Sequence, residues 1–500
     1  MPQEFINRMK IQMGEEYDAF IASYNAPYVK SLRVNLLKIS PDRCKALLRE
    51  GRGAVDTDTD IAVLWESAGI YYRETEDAAL APALGTLLLD SPGKSALHEA
   101  GAYYIQEASA MLPVTMMDLD HDGLKVLDLC AAPGGKSTQI AAYMKGRGLL
   151  VSNEIVPQRA LILSENIERM GVRNALVISE DPNKLADRFV GFFDRILVDA
   201  PCSGEGMFRK HPEAMDEWSP ENVDMCANRQ DMILDCAAHM LSPGGKIVYS
   251  TCTFSEEEDE GSCERFIKRH PEFEICDKPH RLFPHKERGE GHFAVSFDRS
   301  AEKEEQAVSN VTAGKSEKRK SGRASGKPVF TKDEKSNITS FINETFNAES
   351  LIYKVLSECI SEGESYAFGN LSGQKLIRFG DSIYLAPTSI PDTTGIKVMR
   401  WGLKIGEFKK NRFEPDHALA MAIAPDDVKN YCTYDRKSSE IAGYLNGMTI
   451  TVNGENDPSQ VFANPKGWCL VCVNGVSLGW GKIAGNVIKN HYPKGLRVMA

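Results

Sequence analysis

Between residues 92 and 298 the chain alternates short apolar runs with helical stretches, and this pattern restricts the fold more than any other feature. The runs are Leu124 to Leu129, Gly148 to Ser152, Ala175 to Ile178, Arg195 to Val198 and Lys246 to Tyr249. Apolar strands joined through helices predict a parallel sheet covered on both faces, an α/β doubly wound, Rossmann-like fold. In such a sheet the ligand crevice lies beyond the carboxyl ends of the strands. Residues that follow these runs are therefore the first candidates for function.

The chain of 500 residues is long enough for about three domains of roughly 150 residues, each with its own core. Residues 1–91 read as a small N-terminal α/β domain. Phe5, Met9, Met13, Tyr17 and Ile21 recur every fourth residue and predict one helical packing face. A strand over Ser31 to Lys38, a helix from Cys44 to Glu50 and short strands up to Leu89 follow. The alternating segment occupies 92–299. Residues 300–335 are poor in apolar groups, and Lys315, Lys318, Arg319, Lys320, Arg323 and Lys327 outnumber the nearby Glu317, so this stretch reads as a flexible, basic linker. Residues 336–390 read as an intermediate α/β domain and 391–500 as a strand-rich region. Turns are expected at Gly380-Asp381 and Asn474-Gly475, with one helix from His417 to Ile423. The second turn joins the apolar runs Trp468 to Val473 and Val476 to Trp480, a strong hairpin signal.

Charge is unevenly spread. The whole chain carries −11, from 59 Lys and Arg against 70 Asp and Glu. Residues 391–500 hold 14 cations against 10 acids, +4, which leaves −15 for residues 1–390. A basic face is thus available in an otherwise acidic protein. No apolar run approaches the roughly 18 residues that cross a bilayer, so no membrane partner is expected. The start carries acids and no apolar signal core. Twelve cysteines without framework spacing suit a reducing compartment, and the expected location is the cytoplasm.

The segment Val126 to Ser137 runs from a strand through Cys130, Ala131, Ala132, Pro133, Gly134 and Gly135 into Lys136. Small residues at such a turn admit close approach of a ligand and leave helix N-terminal amides free. Glu154 stands 20 residues after Gly134, at the end of the next strand, where an acid can accept both ribose hydroxyls. The loop is neither G-x-G-x-x-G nor a Walker loop, which speaks against nicotinamide and triphosphate ligands.

Two cysteines follow two strand ends. Asp199-Ala200-Pro201-Cys202-Ser203-Gly204 comes after Arg195 to Val198, and Ser250-Thr251-Cys252-Thr253 after Lys246 to Tyr249. Asp199, Cys202 and Cys252 are expected to converge beside the adenosine pocket. The ordinary fate of cysteine is an inert, buried position, which is the expectation for Cys44, Cys226, Cys236, Cys263, Cys276, Cys359 and Cys432. No metal site is expected, because neither loop cysteine belongs to a C-x-x-C pair and Cys469-x-x-Cys472 has no second pair. The acidic run Glu256 to Glu260 reads as a first helical turn that complements the helix macrodipole after a Ser255 cap, and not as a metal site.

Asp128 to Lys136, Asp199 to Gly204 and Tyr249 to Thr253 together resemble the NOL1/NOP2/Sun family of RNA 5-methylcytosine methyltransferases. Gly101 to Glu107, Gly204 to Lys210 and Lys404 to Phe413 are similar to its bacterial RsmF-like subgroup, and the likeness spans nearly the whole chain. The resemblance implies S-adenosyl-L-methionine as methyl donor and a cytosine of small-subunit ribosomal RNA as acceptor. It implies that Cys130, Ala131, Ala132, Pro133, Gly134, Gly135 and Lys136 line the cofactor, that Glu154 binds its ribose, that Asp181 meets the adenine and that Asp199 borders cofactor and base. It assigns Cys252 as nucleophile and Cys202 as the residue that aids product release, and makes 391–500 a PUA-like RNA-binding region.

Carbon 5 of cytosine is too weak a nucleophile to take a methyl group directly. A thiolate must first add to carbon 6, and a base must later remove the carbon 5 proton. Lys136 can steady the base or the thiolate, and Asp199 can hydrogen-bond the ring. Spacing alone leaves open which cysteine attacks, since the proline-cysteine motif of DNA cytosine methyltransferases favours Cys202. Two clusters, Phe408 to Phe413 and Lys489 to Arg497, interleave cations with aromatics and are candidates for RNA contact. The other readings are a ribosome-assembly RNA-binding factor without turnover, which the intact Cys202, Cys252, Asp199 and Glu154 oppose, and a nicotinamide oxidoreductase.

Overall fold

A computed structural model describes the chain except residues 50–60, 75–86, 90, 302–329, 363–372, 411, 453–456, 458 and 498–500. The cations expected in the basic linker therefore lie outside the described residues. At its far end a helix, Lys332–Thr345, already begins, with Thr331 and Glu334 forming a reciprocal cap.

Among the described residues the central sheet has nine strands. Its main path runs Phe273–Ile275, His292–Arg299, Leu241–Thr251, Phe193–Asp199, Lys125–Asp128, Leu149–Asn153, Ala175–Ile178 and Val398–Trp401. The five expected runs pair in parallel in this path, and the order reverses beside Lys125–Asp128, which pairs on one side with Leu149–Asn153 and on the other with Phe193–Asp199. The fold is the doubly wound one expected. Its rims differ from a purely parallel sheet: His292–Arg299 joins antiparallel to Leu241–Thr251. Val398–Trp401, far along the chain, completes the other edge antiparallel to Ala175–Ile178. An open edge presents unpaired N–H and C=O groups, and pairing with a distant segment satisfies them.

The first helix departs from its expected face. It ends at Met13, Gly14 turns at φ +53°, and a new helix, Tyr17–Ser23, starts in a different phase. Phe5, Met9, Met13 and Phe20 are buried, whereas Tyr17 and Ile21 are only half-buried. The strand Tyr103–Ile105 pairs with Lys30–Val34, so the first sheet draws an edge strand from beyond residue 91. The hairpin at Asn474-Gly475 forms as expected, with both turn residues at positive φ. Helices Lys332–Thr345 and Leu351–Glu362 fall at the expected intermediate α/β segment, the first beginning inside the expected linker, and Ser439–Leu445 adds a helix to the region expected to hold one, at His417–Met421. Ile338, Phe341, Ile342 and Thr345 face inward at helical spacing, and that burial secures the first of them.

The ends of the chain share one hydrophobic core. Leu32, Cys44, Leu47 and Tyr103 pack in the same cluster as Cys432, Tyr444, Val471 and Ile488. No helix among the described residues is long and apolar enough to cross a membrane.

Candidate active site

The carboxyl ends of the parallel strands open onto a cleft of about 570 Å³ lined by Cys130, Ala132, Glu154, Asp181, Asp199 and Pro201, with Ile155, Val156, Met232 and Ile233 as apolar walls. The glycine turn lies beside it. Gly134 adopts φ +116° and caps the helix Gly135–Met144, whose first N–H groups have no intrahelical acceptor. Helix Pro157–Arg169 holds the turn's carbonyls, with Arg159 donating to Ala132 O at 3.1 Å and Asn166 to Pro133 O at 2.9 Å. Ala131 is buried and its N–H bonds Asn153 O at 2.8 Å. Of the loop residues, Cys130 and Ala132 thus line the cleft, while Ala131, Pro133, Gly134 and Gly135 shape the turn.

Glu154 is 3 % exposed. Its Oε1 accepts the N–H of Val156 at 2.9 Å, and its Oε2 lies 3.5 Å from Arg159 Nη1. Asp181 caps helix Pro182–Arg188 and accepts the N–H of Asn183 at 2.8 Å. Asp128, behind the turn, accepts the Ser137 hydroxyl at 2.7 Å, and burial pushes its carboxyl up to about 7. Burial likewise raises the Cys130 thiol far above its usual value.

Asp199 ends its strand facing three groups. Lys136 Nζ lies 2.8 Å from Oδ2, the Ser250 hydroxyl donates to Oδ1 at 2.8 Å, and His292 Nε2 stands 3.6 Å from Oδ1. Burial opposes ionisation of Asp199, yet the Lys136 ammonium and His292 outweigh it and hold the carboxyl far below its usual range. His292 is buried, its Nε2 has no hydrogen-bond partner among the described residues, and burial followed by Lys136 lowers its basicity. Sequence reasoning missed His292 because it sits on an antiparallel strand outside the recognised motifs.

The two loop cysteines meet. Cys202 Sγ and Cys252 Sγ are 3.3 Å apart, both thiols free and partly exposed. The hydrogen bond to the Cys252 sulfur, then burial, keep Cys202 well above the ordinary thiol value. Two buried carboxylates lock the loops that carry these sulfurs. Glu258 accepts the Ser203 N–H at 2.9 Å, the Ser203 hydroxyl, and the Gln230 amide at 2.9 Å. Glu205 accepts Arg8 at 2.5 Å, the Trp218 indole at 2.8 Å and the Phe254 N–H at 3.2 Å. Gly206 lies so close to the second loop that a Cβ would stand 2.9 Å from Cys252 O.

These clamps correct the reading of the acidic run as a first helical turn. Glu258 and Asp259 are 0 % exposed, Asp259 takes the Thr251 hydroxyl at 2.6 Å and pairs with Arg281 at 3.0 Å, and the following helix starts only at Glu260. Ser255 does not cap it. Cys276, expected to be buried, is exposed, and Cys202 and Cys252 differ from the buried Cys44, Cys226, Cys236, Cys263, Cys359 and Cys432 as anticipated. Arg33 was also missed: it is 1 % exposed and donates to Gly135 O at 2.6 Å and Thr138 Oγ1 at 2.8 Å, bracing the helix after the glycine turn.

The expected aromatic stacking groups are not available to bases. Phe408 and Phe413 are 8 % and 5 % exposed and pack on each other, and Tyr492 is 3 % exposed against His417 and Tyr444. Strand alternation turns the rings of Phe408 and Phe413 inward and leaves Lys409 and Arg412 outside. Of the aromatics near the second cluster, Trp468 stays half-buried, with His491 at 4.7 Å and Lys482 at 5.1 Å from its ring.

Four family models match in chain order: the N-terminal domain of 16S rRNA methyltransferase RsmF at 1–108, 16S rRNA methyltransferase RsmB/F at 114–304, the first C-terminal domain of RsmF rRNA methyltransferase at 363–423 and the methyltransferase RsmF PUA domain at 432–498. The chain is 31% identical over 503 residues to ribosomal RNA small subunit methyltransferase F of Vibrio vulnificus, covering 99% of this chain and 97% of that protein. It is 30% identical over 504 residues to the protein of the same name in Erwinia tasmaniensis, covering 99% and 96%. The crystal structure of NSun6 from Pyrococcus horikoshii with SFG matches in fold, with a TM-score of 0.51 and 23% identity over 60% of this chain and 99% of that one.

Proposed function

Because the chain belongs to the RsmF family of ribosomal RNA small subunit methyltransferases, we propose that it methylates carbon 5 of a cytosine in small-subunit ribosomal RNA, in the cytoplasm, through a covalent adduct on Cys252. The observation that carries this reading is the 3.3 Å contact of Cys202 with Cys252 at the strand ends that also present the Lys136–Asp199 pair.

The methyl donor is S-adenosylmethionine, and it supplies an electrophilic methyl group. The cleft has the chemistry to hold it: the buried carboxylate of Glu154 for ribose hydroxyls, the rim carboxylate of Asp181 for the adenine edge, and Ile155, Val156 and Met232 as apolar walls. Cys130 and Ala132 border the same space.

In this reading the Cys252 thiolate adds to carbon 6 of an unstacked cytosine and makes carbon 5 nucleophilic. Asp199, ionised across the physiological range, hydrogen-bonds the ring's nitrogen edge, and Lys136 holds that carboxylate in place. After methyl transfer the carbon 5 proton leaves to a base, and the Cys252–carbon bond breaks as the ring regains aromaticity. Cys202 Sγ, 3.3 Å from Cys252 Sγ, stands where a proton can be passed to or from the departing sulfur.

Denaturing electrophoresis after incubation with methyl donor and small-subunit RNA or subunits tests the assignment. A covalent protein–RNA band is expected for Cys202→Ala and none for Cys252→Ala. The reverse pattern exchanges the two sulfurs. No adduct and no methyl incorporation by the unmutated protein would favour a non-catalytic ribosome-assembly factor.

A further inference from the structure

A second cavity, of about 190 Å³, lies away from the strand ends where four parts of the chain meet. Lys38 comes from the first module, Lys145 and Arg173 from the central domain, Ala422 from the segment after helix His417–Met421, and Ser477 from the C-terminal hairpin. Gly171, at φ +72°, lets these parts close up, since a Cβ there would stand 2.4 Å from Met421 O and 2.9 Å from Lys38 Cε.

The charge in this cavity is one-sided. Its lining contains three cations and neither Asp nor Glu. Arg173 donates Nε to Ala422 O at 2.8 Å and Nη2 to the same oxygen, and among the described residues Nη1 has no acceptor. Lys38 Nζ uses one of its three hydrogens, on Ala100 O at 2.7 Å. Ser477 adds a hydroxyl to the wall. Asp427 acts on Arg173 only as a more distant charge, and its carboxylate is engaged with the Ala424 N–H at 2.9 Å. Lys145 is paired at 3.5 Å with Asp120 and is mostly exposed. Burial and the adjacent cations Arg169 and Arg173 push Lys38 well below the usual lysine range, as expected for positive charge gathered without a counter-ion.

The unengaged Nη1 of Arg173, the Lys38 ammonium and Ser477, brought to one small space, are donors suited to a tetrahedral oxyanion. The volume is below the range that encloses a nucleoside or a drug-sized ligand. We propose that this cavity is a phosphate site, in which one phosphate group pins the first module, the central domain and the C-terminal hairpin together. The group comes either from the RNA backbone or from free phosphate. The proposal does not depend on the methyl-transfer reading.

Full-length protein titrated with inorganic phosphate, against chloride at equal ionic strength, tests it by calorimetry and by melting temperature. Saturable binding of one phosphate per chain is expected, together with a phosphate-specific rise in melting temperature. Arg173→Met and Lys38→Met should each weaken it about tenfold or more. Should Arg173→Met fold poorly, Lys38→Met carries the test, because it leaves the Arg173–Ala422 bond intact. Competition by small-subunit RNA, with a salt slope of RNA binding reduced by about one in Lys38→Met, assigns the site to a backbone phosphate. Phosphate binding that RNA does not displace assigns it to the free ion. Phosphate binding undiminished in both variants, or no phosphate-specific binding together with an unchanged salt slope, overturns the proposal.

Discussion

The carboxylate of Glu258 accepts the backbone N–H of Ser203 at 2.9 Å across 55 residues of sequence. This bond joins the loop of Cys202 to the loop of Cys252, and the same carboxylate also takes the Ser203 hydroxyl and the Gln230 amide. Glu258→Ala would leave the buried Ser203 N–H without an acceptor and would take one acceptor each from the Ser203 hydroxyl, which also meets Thr253 Oγ1, and the Gln230 amide, which also bonds Pro201 O. The expected loss of unfolding free energy is about 2–4 kcal/mol, read by urea denaturation. Methyl incorporation should fall with it, although both sulfurs remain. Full activity in this variant would show that the sulfur contact does not need the clamp.

Arg33 braces the helix after the glycine turn through Gly135 O and Thr138 Oγ1. Arg33→Met keeps the side-chain bulk and removes those donors. Affinity for S-adenosylmethionine should drop about tenfold, about 1.4 kcal/mol, with RNA affinity little changed. Isothermal titration of both ligands separates the two effects; an equal loss for RNA would point to a general loss of structure.

Lys136, ahead of His292, keeps Asp199 ionised against its burial. A carboxyl with a depressed folded-state pKa stabilises the fold above its unfolded value, near ~4, and loses that contribution as pH falls through the folded value. Lys136→Met removes one of the two groups that oppose burial, so Asp199 takes up a proton at higher pH. The acid limb of the kcat/KM profile should therefore move upward, with reduced rates at neutral pH. An unmoved limb would remove Lys136 from the control of Asp199.

Asp128 has the opposite sign. Burial raises its carboxyl to about 7, above an unfolded value near ~4. Its contribution to stability is full below the unfolded value and is lost as pH rises through about 7. Asp128→Asn should remove that component. Urea melts on either side of neutrality are expected to show a smaller loss of stability toward alkaline pH in the variant than in the unmutated protein, and equal slopes would exclude Asp128 as its source.

Much of the site was legible because its parts are local in sequence. Leu127-Asp128 ends a strand, Gly134 must occupy a backbone region that glycine tolerates, and Asp199 and Cys252 follow two other strand ends. Once strands alternate with helices, the sheet itself brings those ends to one side. The hairpin at Asn474-Gly475 is legible for the same reason, since the turn residues alone supply the two positive φ values.

What depended on distant partners was not legible. Glu258 and Asp259 sit in a run of five acids that locally looks like a first helical turn, and they are buried because Ser203, Gln230 and Arg281 arrive from elsewhere. Phe408 and Phe413 look like stacking groups until Phe341 and each other cover them. Strand Val398–Trp401 finds its partner more than two hundred residues upstream. The order of the chain therefore determined the sheet, the glycine turn and the pair of reactive loops, because short-range periodicity and backbone preference suffice for them. Only the tertiary structure decided the 3.3 Å meeting of Cys202 and Cys252, the buried clamps around them and the cationic seam at Lys38 and Arg173, because burial and charge balance are set by groups far apart in sequence.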